Sequence, residues 1–136
     1  MTTIKTFAQA CKAEGLDLKK CLPDVSGMPA EMRESILATS RLYIITSAIN
    51  RQEDGKAWIP DWDNSSEDKW LPWWWMNKPG FRLFGLGYGW TFSYSGTGSR
   101  LCFRTRDLAV HAAKHFKSDY EAMMCIPKTK PAKKKK

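Results

Sequence analysis

Histidine is nearly missing from this 136-residue chain, at two copies, and cysteine is scarce at four. Cys11, Cys21, Cys102 and Cys125 are scattered with no C-x-x-C pair, so their spacing announces neither structural zinc nor a disulfide framework. They read as reduced, mostly packed thiols, which suits a cytosolic setting. His111 and His115 share one helix side, but an H-E-x-x-H glutamate and a third ligand are lacking. Long apolar runs are absent as well: none approaches the ~20 residues that span a bilayer, so no membrane partner is expected. The opening MTTIKTFAQACKAEG has no cationic segment followed by an apolar stretch, which argues for intracellular retention. No G-x-S-x-G elbow, P-loop or kinase signature occurs, and Gly85, Gly87 and Gly89 are wrongly spaced for a dinucleotide fingerprint. The expectation is a non-enzymatic protein with no catalytic residue, metal site or cofactor.

Acidic side chains all but vanish between residues 76 and 117, one against seven basic, whereas residues 1–75 hold eleven acidic and nine basic. The last nine residues, KTKPAKKKK, supply six of the net eight positive charges. Residues 1–127 therefore read as a single globular domain and 128–136 as a flexible lysine-rich tail.

Tryptophan is what the chain has in excess. Trp58, Trp62, Trp70, Trp73, Trp74 and Trp75 are six of its seven, all within 18 residues. Indoles at that density either build a core or present a surface to a partner. The segment is acidic, with Asp61, Asp63, Glu67 and Asp68 against Lys69, so phosphates would be repelled and stacking on bases is disfavoured. Pro60 and Pro72 suggest an irregular strap held down by Trp58, Trp62 and Trp70. Neighbours in an extended chain point to opposite sides, so the run Trp73, Trp74, Trp75 must leave at least one indole available for a protein partner. Carbohydrate rings are a further class of ligand that tryptophan beside Asp and Asn suits. DWDNSSED places Asp61, Asp63 and Ser65 at alternating positions as in a calcium loop, but Ser66 and Pro72 stand where the loop needs glycine and glutamate, so a solvated acidic loop is expected.

Periodicity gives the architecture. Thr6 and Gln9 form a capping-box pattern for a short helix over about 6–14, which Gly15 ends. Pro29 opens a second, heavily buried helix over about 29–51, with a broad stripe through Ile36, Leu42, Ile45 and Ile49. From Phe84 to Tyr94 aromatic and small residues alternate, and Arg100 to Arg104 reads as another strand. A three-stranded antiparallel meander over about 81–104 accounts for both, with GLGYG as a turn or bulge. Thr105 caps a last long helix over about 106–124. The predicted fold class is α+β, a small meander packed against two long helices.

The basic second half offers a candidate nucleic-acid surface. On this pattern Arg100 and Arg104 share a strand face, Arg82 lies nearby, and Arg106 and Lys114 stand on the next helix. Arginines so clustered suit phosphates in forked geometry, with a solvated sheet face as the plain alternative. Lys128, Lys130, Lys133, Lys134, Lys135 and Lys136 would add salt-dependent affinity for DNA or RNA by counterion release.

Several linked motifs run in order along the chain: Leu22-Pro23-Asp24-Val25-Ser26-Gly27-Met28-Pro29, a helix ending Ala48-Ile49-Asn50, Trp58-Ile59-Pro60-Asp61-Trp62, the aromatic-Leu-Pro-Trp patch at Trp70 to Trp73, Gly98-Ser99-Arg100-Leu101-Cys102-Phe103 and Arg106-Asp107-Leu108-Ala109. Together, over about residues 6–124, they resemble a family of small uncharacterised proteins encoded by phages and prophages of gut Bacteroides-type bacteria. The resemblance implies synthesis in a bacterial host cytoplasm, or residence in the virion, and a phage-related role, without assigning an activity. The Trp73–Trp75 run and the lysine tail depart from the family pattern. Two roles follow as expectations: an accessory protein on nucleic acid, or a virion or host-protein-interaction (inhibitor) protein that uses exposed tryptophans.

Overall fold

A computed structural model describes residues 3–51 and 54–127, so the lysine tail lies outside the described residues. The fold is α+β, four α-helices and a two-stranded antiparallel sheet. Helix α1 spans Phe7–Ala13 and carries the full capping box, Gln9 N–H donating to Thr6 Oγ1 and Gln9 Oε1 accepting from Thr6 N–H. It stops at Gly15, whose φ of 69° suits a residue without Cβ. Helix α2, Ala30–Arg51, is the central element and buries Ala38, Leu42, Ile45, Ala48 and Ile49. Glu14, at the end of α1, is tied to α2 by Ser47 and by Arg51 at 2.6 Å.

The sheet differs from the expected meander. Strand β1 is Lys69–Trp75, the end of the tryptophan segment itself, and it pairs with β2, Arg82–Gly89. Pro72, expected to keep this stretch irregular, is accommodated because β1 is an edge strand. The Trp70 N–H and C=O turn away from β2 to exchange bonds with Phe103 at 2.9 and 2.7 Å. By alternation, the nitrogen of Pro72 faces that same outer edge, where a missing N–H breaks no ladder bond. The alternating run beyond Gly89 does not continue as a strand. A Cβ at Gly89 would lie 2.7 Å from the Phe92 carbonyl oxygen, so the chain folds back tightly there, and Phe92 and Tyr94 fall in an exposed loop. The strand expected at 100–104 is a 3-10 turn at Gly98–Arg100 followed by the single bridge of Phe103 to Trp70.

The last helix is two. Helix α3 covers Arg106–His115, capped by Thr105 through Leu108 N–H, and α4 covers Lys117–Met124. Phe116 leaves helical geometry between them, at φ −125° and ψ 25°, with its ring buried. The core joins Leu42, Ile45 and Ile49 of α2, Leu108 and Ala112 of α3, Phe116, Tyr120, Trp74 and Phe103. Asn50 ties α2 to the crossing segment, its amide donating to Cys102 O at 3.0 Å and its carbonyl accepting from Arg104 N–H at 3.0 Å. Among the described residues no helix is long and apolar enough to cross a membrane.

Candidate functional site

The acidic strap ahead of β1 is organised by one cation. Lys69 is 0% exposed, and its ammonium donates to the carbonyls of Asp61 at 2.5 Å, Trp90 at 2.6 Å and Asn64 at 3.1 Å. Glu67 lies at 3.5 Å and the Trp62 ring at 5.2 Å. Aspartate and asparagine turns shape the strap, Asp61 Oδ1 accepting from Asp63 N–H and Asn64 Oδ1 from Ser66 N–H. Two indoles fasten it: Trp62 Nε1 donates to Ser99 Oγ at 2.6 Å and Trp90 Nε1 to Asp68 Oδ1 at 2.5 Å. The loop that resembles a calcium site thus turns its backbone oxygens onto a lysine of the same chain. Burial of an ammonium is tolerated only with such full hydrogen bonding.

The three consecutive tryptophans separate as an extended strand requires. Trp74 is 9% exposed, stacked on Phe81 at 4.6 Å and tilted against Tyr120 at 5.1 Å. Trp73 and Trp75 are 38% and 42% exposed. The register makes Phe84 an extra residue, because Trp73 faces Gly85 while Trp74 faces Leu83. This bulge brings Phe84 to Trp75, edge-on at 4.7 Å, and to Trp73, stacked at 6.3 Å. A Cβ at Gly87 would lie 2.3 Å from the Trp73 indole, so the glycine lets that ring rest on the β2 backbone. Tyr94 closes the group, edge-on to Trp73 at 5.9 Å.

Between this aromatic set and helices α2 and α4 lies a groove of ≈ 810 Å³. Its walls include Tyr43, Trp73, Trp75, Phe84, Tyr120 and Met123, and no charged residue lines it. That size falls within the range of ligand pockets. Leu71 to Trp75 of β1 line it, and beyond Trp70 no backbone bond among the described residues joins β1 to an element other than β2. A second cleft of ≈ 280 Å³ shares Tyr43 and includes Asn50, Trp58 and Arg100.

Two buried polar atoms in the larger groove's wall residues, Trp74 Nε1 and the Tyr120 hydroxyl, have no hydrogen-bond partner among the described residues. Burial, and secondarily Asp119, pushes the Tyr120 phenol well above its ordinary value. Its proton is kept in the folded state while the unfolded phenol loses it near pH 10. Stability linked to this group is therefore full below about pH 10 and lost as pH rises, at about 1.4 kcal/mol per pH unit. Burial also pushes the Cys102 thiol up to about 12, with the same sign. Tyr120→Phe is expected to raise stability at neutral pH by about 1 kcal/mol, since it removes an unpartnered hydroxyl. It should also flatten the alkaline decline. Urea midpoints at neutral and alkaline pH check both effects, and a loss at neutral pH would mean that the hydroxyl is bonded.

The basic residues do not assemble as the strand pattern implied. Arg82 donates to Gly80 O at 2.7 Å and Asn77 O at 3.1 Å, and lies over the Trp75 ring at 5.5 Å. Arg104 donates to Asn50 O at 3.1 Å and pairs with Asp54 at 3.2 Å. That hydrogen bond, foremost, holds the Asp54 carboxyl below its ordinary value. Arg100 is exposed in the 3-10 turn over the Tyr43 ring at 6.0 Å, so it shares no strand face with Arg104. Arg106 begins α3 and Lys114 lies in its last turn, both exposed. Lys128, Lys130 and Lys133 to Lys136 lie outside the described residues. His111 and His115 stand side by side at 4.4 Å, His111 also contacting Ile4 O at 2.5 Å. Among the described residues no three His, Cys, Asp or Glu side chains come together as a metal site. Comparison with known protein families, curated proteins and solved structures finds no match to this chain.

Proposed function

We propose that this chain is a non-enzymatic accessory protein that binds a partner protein, taking an apolar segment of that partner into the groove beside β1. One observation carries the reading: in a protein with 26% charged residues, a groove of ≈ 810 Å³ is walled by aromatic, leucine, methionine and small side chains with no charge among them. Exposed Trp73, Trp75 and Phe84 have the character of interface hot spots, large, semi-rigid and already packed on one another. The edge of β1 away from β2 supports the same reading, because beyond Trp70 it makes no backbone bond to another element among the described residues, and an extended segment can pair there. Resemblance to phage-encoded proteins supplies the setting, a virion or host protein met in the bacterial host. A second reading retains nucleic acid, through the lysine tail with Arg100 and Arg106, exposed and without an ion-pair partner among the described residues.

One experiment separates them. Wild type, a chain ending at residue 127, and the double variant Trp75→Ala, Phe84→Ala are compared for the affinity of a protein captured from host or infected-cell lysate at about 0.5 M salt, where surface charges are screened within a few ångströms. The double variant, checked for an unchanged fold, is expected to lose at least about ten-fold in affinity, or about 1.4 kcal/mol. The shortened chain should change less than about two-fold, because tail lysines contribute little at that ionic strength. Equal capture by the double variant would sink the groove reading. Binding to DNA or RNA that the shortened chain loses would support the second.

A further inference from the structure

The four cysteines carry no recognisable spacing, yet the fold brings two of them into contact. Cys11 lies on α1, and Cys21 follows the turn at 17–20 that reverses the chain after the helix. Their Sγ atoms are 3.6 Å apart, with Cys11 buried and Cys21 half-exposed. Cys21 Sγ also contacts Leu18 O at 3.8 Å. The two sides of the pair differ in freedom. Cys11 is fixed by a helix that Ser47 and Arg51 anchor through Glu14, whereas Cys21 sits in a short connector with an accessible face. Burial foremost, then Cys21, pushes the Cys11 thiol up to about 11, so Cys11 stays protonated while it waits.

We infer that Cys11 and Cys21 form a dithiol site that reacts with low-molecular-weight disulfides of the glutathione class and closes to an intramolecular disulfide. The accessible Cys21, as thiolate, attacks one sulfur of oxidised glutathione. An S–S bond forms to Cys21, and one glutathione thiolate leaves. Cys11 then gives its proton to solvent or to that thiolate, and its sulfur attacks Cys21 Sγ. The mixed disulfide breaks, the second glutathione leaves as thiolate, and the Cys11–Cys21 bond remains. Two thiols are oxidised and one glutathione disulfide is reduced to two thiols, so no other oxidant is required. The closed bond ties the end of α1 to the connector leading to α2, and constrains the unfolded chain across a loop of about ten residues.

Trypsin makes the test direct, because it leaves Cys11 in peptide 6–12, Cys21 in 21–33, Cys102 in 101–104 and Cys125 in 118–128. The full chain is equilibrated in a graded reduced and oxidised glutathione buffer, quenched at acid pH and mapped without reduction. The expected product is peptide 6–12 joined to 21–33, reversed by dithiothreitol. Its formation should raise Tm by about 5 °C or more. Cys11→Ser should stop at a stable glutathione adduct on Cys21. Cys21→Ser should leave Cys11 unmodified in the folded protein. A wild-type product that remains a glutathione adduct on Cys21, or a bond that recruits Cys102 or Cys125, would overturn the assignment. If the serine variants unfold, wild-type mapping alone decides it, since each cysteine reports from its own peptide.

Discussion

Lys69→Met is expected to destabilise the protein by about 3–5 kcal/mol, because it removes a buried ammonium and the three charge-assisted hydrogen bonds that it donates. Methionine fills much the same volume, so packing alone would cost little. What is lost is the ammonium that three carbonyls face, those of Asp61, Asn64 and Trp90, together with the counter-charge to Glu67. Hydrogen bonds to a charged group are worth roughly 1.5–3 kcal/mol each in net terms, and acceptors left dry add their own penalty. The strap can recover part by opening to water, which sets the lower bound. Opening would also release Trp62 from Ser99 and Trp90 from Asp68, so their fluorescence should shift to the red in the variant's folded baseline. Chemical denaturation gives the energy. A change below about 1 kcal/mol would mean that the cage is not a structural unit.

Phe103→Ala is expected to cost about 3–5 kcal/mol, the range for a phenylalanine lost from a packed core. Phe103 is 0% exposed and joins the core of α2, α3 and Trp74, while its backbone closes the outer side of Trp70. Phe92→Ala, in contrast, should fall within about 0.5 kcal/mol, because Phe92 is 61% exposed in the loop after β2. The pair of variants distinguishes the observed hairpin from a three-stranded meander, in which Phe92 would belong to the aromatic inner face. Similar losses at both positions would favour the meander.

The helices were legible because their signals are local. Thr6 and Gln9, Thr105 with Leu108, and the stripe through Leu42, Ile45 and Ile49 each act within a turn or two of chain. The break at Phe116 was not, since the stripe through Ala112, Phe116 and Tyr120 continues unchanged across it. The sheet was half legible. The alternation over 84–89 marked β2, but the partner strand came from the tryptophan run, whose proline and acidic lead-in resemble a loop until the strand is known to be an edge. Pairing across an intervening turn is a nonlocal choice that periodicity does not encode. In the candidate site, alternation sufficed to say that Trp73, Trp74 and Trp75 cannot face one way. It could not say that Phe84 bulges to meet them, or that Lys69 turns inward. A single cation closing an acidic segment just before an apolar strand was the available signal, and net-charge counting obscured it. Intrachain partners of Arg82 and Arg104 were likewise beyond reach of the pattern, for their hydrogen bonds go to Gly80, Asn77, Asn50 and Asp54.

Recognition of a partner protein through the groove beside β1 is tested most directly by hydroxyl-radical footprinting of the tryptophans, free and in the captured complex. Trp73 and Trp75 are predicted to react readily in the free protein and to be protected in the complex, while Trp74 is protected in both. Unchanged reactivity of Trp73 and Trp75 on binding, with protection appearing instead at Arg100 and Arg106, would contradict the groove as the contact surface.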